Sequence, residues 1–225
     1  MRTNLLAFFL VSLSLVACGG GGDGGDGNVD PVVDARPGGG DAGGGGGPDA
    51  APAACTATES FGDKGALSGQ AFFSPDNGVD QVDMGATDDV IDFLALLETT
   101  QPADGIELQL FAGFGAFAGG PIRTGTFQLT GDELDYATCG VCVLMATDVT
   151  EAGYADDYMA ISGTVEITAV GTAVGQTVSG RLTNVQFRHV DIGEGGATTP
   201  AGDSCASSLM NATFSAPLMQ PMRPR

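Results

Sequence analysis

The sequence predicts an all-β domain, an antiparallel β-sandwich or a small barrel, that follows a disordered Gly/Asp-rich tether. Three observations lead to this prediction. Apolar and polar residues alternate with a period of two in several segments, glycine-rich turns separate those segments, and a stretch nearly free of large apolar residues precedes them. Eight or so short strands joined by such turns are typical of sandwiches and barrels.

Composition divides the chain into four parts. Residues 1–17 have the layout of a secretory signal peptide, in which a basic residue precedes an apolar stretch. Residues 18–54 consist mainly of Gly, Asp, Ala and Pro, and a segment with so little to bury is expected to stay disordered. Residues 55–216 carry the apolar blocks of a folded domain. Residues 217–225 are predicted to be a loose tail.

The clearest strand pattern lies in residues 161–169, where Ile161, Val165 and Ile167 share one parity and polar residues hold the other. Ile106, Leu108 and Leu110 alternate with polar residues in the same way, which is the pattern of a half-buried strand. Further strands are predicted at Leu67 to Phe73, Thr124 to Leu129, Cys142 to Val149 and Asn211 to Ser215.

The segment from Val178 to Phe187 changes parity in its middle. Val178 and Leu182 share one parity, whereas Val185 and Phe187 share the other. Both pairs can face one core only if the register shifts between them, so we predict a bulge or bend near Thr183 and Asn184.

The apolar run from Asp88 to Glu98 suits two structures. Its spacing fits a helix with Thr87 as the N-cap, and it also fits a strand buried on both faces. The strand is favoured because the surrounding sequence is repetitively β.

Cys18 ends the run Leu15-Val16-Ala17-Cys18, which resembles the lipobox of bacterial lipoproteins. The resemblance implies that the Cys18 sulfur is diacylated and that the leader is cut before it. More than one acyl chain gives firm membrane attachment. Gly19 follows the cysteine, which in the enterobacterial sorting pattern implies the outer membrane, with the protein facing the periplasm or the cell surface.

Four cysteines remain in the predicted domain: Cys55, Cys139, Cys142 and Cys205. An even number outside the cytoplasm favours two disulfides. If Cys139 and Cys142 lie on one strand they point to opposite faces, and each then pairs with Cys55 or Cys205. If they flank a turn, they pair with each other. The first arrangement is favoured. A redox CxxC site and a zinc site are less favoured, since a strand-like segment follows the pair and only one close pair exists.

The chain is strongly acidic, with 28 Asp and Glu against 8 Lys and Arg. So negative a protein cannot neutralise phosphates, and we exclude nucleic acid as a partner. The densest acidic loop holds Asp76, Asn77, Asp80 and Asp83, followed by Asp88 and Asp89. These are the oxygen ligands that calcium prefers. Their spacing does not match an EF-hand loop, so a solvated loop is favoured over a calcium site.

The sequence holds little that indicates catalysis. His189 is the one histidine, and its parity matches Val185 and Phe187, so a structural role is expected. There is no G-x-S-x-G motif and no second histidine for a metalloprotease helix. The chain has no Trp and three Tyr, few for a sugar site. We expect no enzyme and predict no cofactor.

The layout is similar to the predicted lipoproteins of myxobacteria and their relatives. The similarity lies in the lipobox, the Gly/Asp tether, the segment Gly125 to Leu129 and the cysteine-containing segment Tyr136 to Val143. It implies location and fold, and no site. The expected function is a cell-envelope binding or structural module, anchored to the membrane through lipid, whose partner lies in the envelope or outside the cell. The alternatives are calcium-dependent adhesion and CxxC redox chemistry.

Overall fold

The computed structural model describes residues 55–75 and 89–221, and the regular structure there is ten β-strands with three short 3₁₀ turns. The all-β prediction is therefore confirmed. No helix in these ranges is long and apolar enough to cross a membrane. The strands are β1 (Asp63–Leu67), β2 (Gly69–Ser74), β3 (Val90–Leu96), β4 (Ala103–Phe111), β5 (Gly125–Gln128), β6 (Val141–Val149), β7 (Asp157–Ala169), β8 (Thr177–Ile192), β9 (Thr198–Pro200) and β10 (Ala206–Met219).

The hydrogen-bonded strands form a closed ring. Strands β2, β3, β4, β6, β7 and β8 pair in that order, each antiparallel to the next. Strand β10 then pairs with β8 along one edge and with β1 and β2 along the other. Short strands β5 and β9 extend the pairing on β7 and β8. The hydrogen bonds thus form a ring, which is the small barrel of the two predicted architectures.

One seam of the ring is parallel, which the antiparallel prediction did not include. β10 runs parallel to both β1 and β2. Because β1 and β2 are successive pieces on the same edge of β10, the ring has seven positions, and alternating directions around an odd ring must leave one parallel pair. The seam also joins the first and last strands of the described chain.

The interior of the ring is filled by large apolar side chains. Phe93 and Phe214 pack at a centroid distance of 5.2 Å, and Phe187 is fully buried. Ile106 and Leu108 are 2% and 1% exposed, as their alternation predicts. Each such side chain contributes roughly 1.5–3 kcal/mol by leaving water, so this core is the main source of stability.

The predicted parity change in β8 is a β-bulge. Opposite Ser162 and Thr164 of β7 lie Gln186 and Thr183 of β8, so one intervening residue on β7 faces two on β8. Asn184 adopts φ +50°, a left-handed conformation that Asn tolerates better than most residues. The prediction for Thr183 and Asn184 is confirmed.

The apolar run from Asp88 to Glu98, whose spacing fits either a helix or a strand, contains a strand. β3 covers Val90–Leu96, and every residue from Val90 to Ala95 is buried. The prediction of a strand buried on both faces is confirmed, and Asp88 lies outside the described residues. Two-sided burial means that other segments cover the outer face of the ring at β3.

Two sequence expectations differ from the structure. Ile161 was expected on the core face with Val165, yet it is 36% exposed. The pairing of β7 shifts on both sides of Ser162, which breaks the alternation between Ile161 and Val165. The last strand runs to Met219, beyond the expected domain end at Ala216, because Pro217 still pairs with β8 and Leu218 and Met219 pair with β2.

Gly180 of β8 provides a test of how tightly the ring is packed. A Cβ there would lie 2.1 Å from the Glu166 carbonyl oxygen and 2.6 Å from Phe214 Cζ. We expect Gly180→Ala to lower the free energy of unfolding by about 1–3 kcal/mol, the usual cost of overpacking. Urea unfolding of the purified chain measures the change. Gly120→Ala is the matched control, since nothing lies within 4 Å of its new Cβ. Equal effects of both variants would contradict the close packing around Gly180.

Candidate functional site

The lipidation residue and the predicted calcium ligands cannot be placed. Cys18 and the loop residues Asp76, Asn77, Asp80 and Asp83 all lie outside the described ranges. Within residues 55–75 and 89–221, no group of three or more His, Cys, Asp or Glu side chains is arranged to hold a metal ion.

The four cysteines form two disulfides, but the favoured connectivity was wrong. Cys55 bonds Cys205, and Cys139 bonds Cys142, with Cα–Cα distances of 5.4 Å in both cases. Cys139 lies in the turn that precedes β6, which begins at Val141, so the two cysteines do not share a strand. The turn geometry lets the CxxC pair close on itself. The long-range bond ties the start of the domain to the start of β10.

A buried carboxylate holds the CxxC turn in place. Glu133 is 4% exposed and accepts hydrogen bonds from the backbone N–H groups of Ala116, at 2.6 Å, and Val141. Burial raises the pKa of Glu133, and the backbone donors, including Gly140, oppose that shift. Glu133 thus connects the loop after β4 to the turn before β6.

The outer face of β3 and β4 carries three polar side chains, Asp92, Glu107 and Gln109, which we call the outer-face cluster. Asp92 pairs directly with Gln109 across the two strands, and Glu107 precedes Gln109 by two residues, so all three point to the same side. Asp92 and Gln109 are each 5% exposed, and Glu107 is half-buried. Gln109 Nε2 donates to Glu107 Oε1 at 2.9 Å.

Two oxygens of the outer-face cluster lack a hydrogen-bond donor among the described residues. They are Asp92 Oδ1 and Gln109 Oε1, both fully buried. An unpaired buried acceptor costs roughly 1–3 kcal/mol. Such groups are few in native proteins and require an explanation.

The carboxyl groups of the cluster titrate far from their ordinary range. Burial, together with the negative charges of Asp92 and Asp157, raises the pKa of Glu107 to about 8. Burial raises the pKa of Asp92 to about 6, opposed by a hydrogen bond from Gln109. Two carboxyl groups in one water-poor place cannot both ionise cheaply. Shifts of this size, caused by burial and a like charge, are typical of functional sites.

Other segments surround the outer-face cluster. Tyr136, from the loop before β6, is half-buried, and burial and the nearby Glu107 charge raise its pKa. Cys142 lies directly across from Gln109 on β6, so the CxxC disulfide adjoins the cluster. Asp157, at the start of β7, accepts a hydrogen bond from the Tyr154 hydroxyl at 3.3 Å. The cluster therefore lies beneath a loop and beside a disulfide.

His189 lies in a second polar group near the end of β8. Its Nδ1 is 2.6 Å from Asp203 Oδ2 and its Nε2 is 3.6 Å from Asp156 Oδ1. The ring stacks on Tyr158 at 5.1 Å. The hydrogen bond with His189 lowers the pKa of Asp203. Because Thr56 also donates to Asp156, these contacts hold the beginning of the domain against β8, as expected of a structural histidine.

A shallow groove of about 300 Å³ lies beside the Cys55–Cys205 disulfide. Its polar lining includes Glu59, Gln186 and Ser204. Ser207 and Ser208 also line it, but their hydroxyls already bond the backbone oxygens of Thr58 and Glu59. Two of the polar residues of the groove are therefore already engaged by the protein itself.

Sequence reasoning missed the outer-face cluster. The alternation with Ile106, Leu108 and Leu110 predicts that Glu107 and Gln109 lie on the solvent side of a half-buried strand. Asp92 carried the one available signal, since it is a lone carboxylate inside the apolar run from Val90 to Leu97. A carboxylate in a strand buried on both faces must itself be buried.

Removing the Glu133 carboxylate tests its role in the CxxC turn. We expect Glu133→Ala to lower the free energy of unfolding by at least about 2 kcal/mol, because two buried N–H groups lose their acceptor at about 1–3 kcal/mol each. Asp132→Ala is the matched control, since Asp132 is exposed. Urea unfolding measures both variants. A loss for Glu133→Ala no larger than for the control would contradict the assignment.

The outer-face cluster makes the stability of the protein depend on pH. Because the folded-state pKa of Glu107 lies above its ordinary value, the folded protein holds more protons than the unfolded chain from about pH 4.5 to about 8. Its contribution to stability is complete below that range and is lost as the pH rises to about 8. We expect Glu107→Gln and Asp92→Asn to flatten this decline and to melt at a higher temperature than the wild type at pH 8.

Thermal unfolding from pH 5 to pH 8 measures this effect. Glu151→Gln is the control, because Glu151 is exposed in a turn, and it should follow the wild type at every pH. Amide variants that melt below the wild type at pH 8 would show that the ionised carboxylates stabilise the fold.

The chain was also compared with known proteins. No family model, no curated protein sequence and no solved structure matches it.

Proposed function

We propose that this chain is a lipid-anchored protein of the outer membrane whose β domain is a non-catalytic binding module of the cell envelope. The leader, the lipobox-like run ending at Cys18 and the absence of Asp after it support the anchor and its destination. The two disulfides support a compartment outside the cytoplasm, where such bonds persist. The partner is a component of the envelope or of the surroundings of the cell.

The observation that carries the binding role is the outer-face cluster. Asp92 and Gln109 are buried and each has one oxygen that no described residue pairs, and the adjacent Glu107 has its pKa raised to about 8. Apolar residues of similar size would be less costly at these positions. Positions that break the rules of packing are expected at functional sites, where a partner supplies the missing interactions.

The chemistry of the other candidate groups favours binding over catalysis or redox exchange. Thiol–disulfide exchange requires a thiolate to reach a sulfur, and Cys139 and Cys142 are 1% and 0% exposed. His189 is engaged through Nδ1 by Asp203 and stacks on Tyr158. These groups brace the domain, whereas the outer-face cluster holds two buried oxygens that have no donor among the described residues.

The pH series for Glu107→Gln and Asp92→Asn tests the binding role. Variants that are more stable than the wild type at pH 8 support the binding role. The native carboxyl groups would then lower the stability of the fold, which is the usual cost of a functional residue. If both variants are less stable than the wild type at pH 8, the cluster stabilises the fold. The outer-face cluster then no longer supports a binding role.

The anchor is tested by expressing the whole chain in a Gram-negative host. We expect the wild type to fractionate with the outer membrane, and mass spectrometry to find a mature N-terminus at an acylated Cys18. Cys18→Ala should lose the acyl groups and leave the membrane fraction, because no thiol remains to be modified. Ser14→Ala, outside the lipobox-like run, is the control and should behave as the wild type. An unacylated Cys18 in the wild type would overturn the anchor.

A further inference from the structure

We propose that the outer-face cluster binds a primary ammonium group through Asp92, Glu107 and Gln109. This inference rests on the proposed binding role and names the chemistry of its ligand. The ammonium is carried by a small amine or by a lysine side chain of a partner.

When Asp92 and Glu107 are ionised, as they increasingly are toward pH 8, the cluster has more hydrogen-bond acceptors than donors. Among residues 55–75 and 89–221, Asp92 Oδ1 and Gln109 Oε1 have no donor, and Glu107 has a second oxygen beyond the one that Gln109 Nε2 contacts. A ligand that fits must therefore bring donors and positive charge. A primary ammonium has three N–H donors and no acceptor.

The arrangement of the three side chains also favours an ammonium over a metal ion. Calcium takes six to eight oxygen ligands, whereas this cluster presents two carboxylates and one amide. No three acidic, His or Cys side chains of the described chain meet in a metal-binding geometry. Three acceptors on one face of two neighbouring strands match the three donors of an ammonium.

The exposure of the residues indicates how a ligand approaches. Asp92 and Gln109 are buried, whereas Glu107 and Tyr136 are half-buried above them. Glu107 is therefore more accessible to a ligand than Asp92 and Gln109. The net charge of the chain, −20 at neutral pH, draws cations toward the surface over a distance limited by salt.

Binding of an ammonium is coupled to proton release. A positive charge beside Glu107 and Asp92 favours their ionised forms and lowers both pKa values. Four charged or polar groups face Glu107. Gln109 lies on the same strand, β4, and Asp92 lies on the neighbouring strand, β3. Tyr136 comes from the covering loop and Asp157 from β7. Affinity should therefore rise from pH 5 to pH 8, where fewer protons must be displaced.

The test is titration of the purified full-length chain with n-butylammonium chloride, followed by melting temperature and by the NMR signals of the Gln109 side-chain amide. At pH 8 we expect a saturable rise in melting temperature and a shift of the Gln109 signals. Tetramethylammonium chloride at equal concentration controls for ionic strength and has no N–H donor. Nα-acetyl-lysine N-methylamide serves as the probe for a lysine side chain, and tighter binding than butylammonium supports a protein partner.

Asp92→Asn and Glu107→Gln should each weaken butylammonium binding by tenfold or more, and Glu151→Gln should not. Calcium chloride is titrated in parallel. Three results would overturn the proposal. They are equal responses to butylammonium and tetramethylammonium, a response to calcium chloride but not to butylammonium, and no response to butylammonium or to the lysine derivative. The stability of the amide variants at pH 8 separates these failures from failure of the binding role. If the variants are stabilised and amines do not bind, only the ligand class is wrong.

Discussion

Strand β10 is hydrogen-bonded along both of its edges, and the closure of the sheet depends on this double pairing. One edge meets β8 over most of its length, and the other meets β1 and then β2. The Cys55–Cys205 disulfide bonds the chain just before β10 to the start of the domain. A closed ring leaves no long free edge for pairing with another chain, which protects a β protein from edge-to-edge aggregation.

Closure also decides which faces of the strands are buried. The inner faces fill the ring with Phe93, Phe187 and Phe214. The outer face of β3 and β4 is covered as well, so that Asp92 and Gln109 are as well shielded as core residues. A polar group in such a position is costly unless it is paired. The raised pKa values of Asp92 and Glu107 express this cost, since burial makes ionisation unfavourable.

The bracing elements and the outer-face cluster lie side by side. Glu133 holds the turn that carries Cys139, and Cys142 faces Gln109 across the strands. The CxxC disulfide therefore acts on the same part of the surface as the unpaired oxygens. In the proposed binding role, these rigid surroundings hold the acceptors in place before a ligand arrives, which lowers the entropic cost of binding.

The strand class and much of the side-chain parity follow from the sequence. Alternation placed Ile106, Leu108 and Leu110 in the core, and the parity change in β8 predicted the bulge at Asn184. These properties are local, because the side-chain period of a strand is two whatever it pairs with. The error at Ile161 has the same origin, since a pairing shift at Ser162 interrupts the period and leaves no mark in the pattern.

The sequence by itself determined that the domain is all-β and which residues share a face over most strands. Only the tertiary structure decided how the cysteines pair, that β10 closes the ring, and that Asp92, Glu107 and Gln109 meet under a covering loop. The physical reason is that alternation reports which residues lie together on a face and not what packs against that face. Burial, and with it the pKa of each carboxyl group, depends on segments that are distant along the chain.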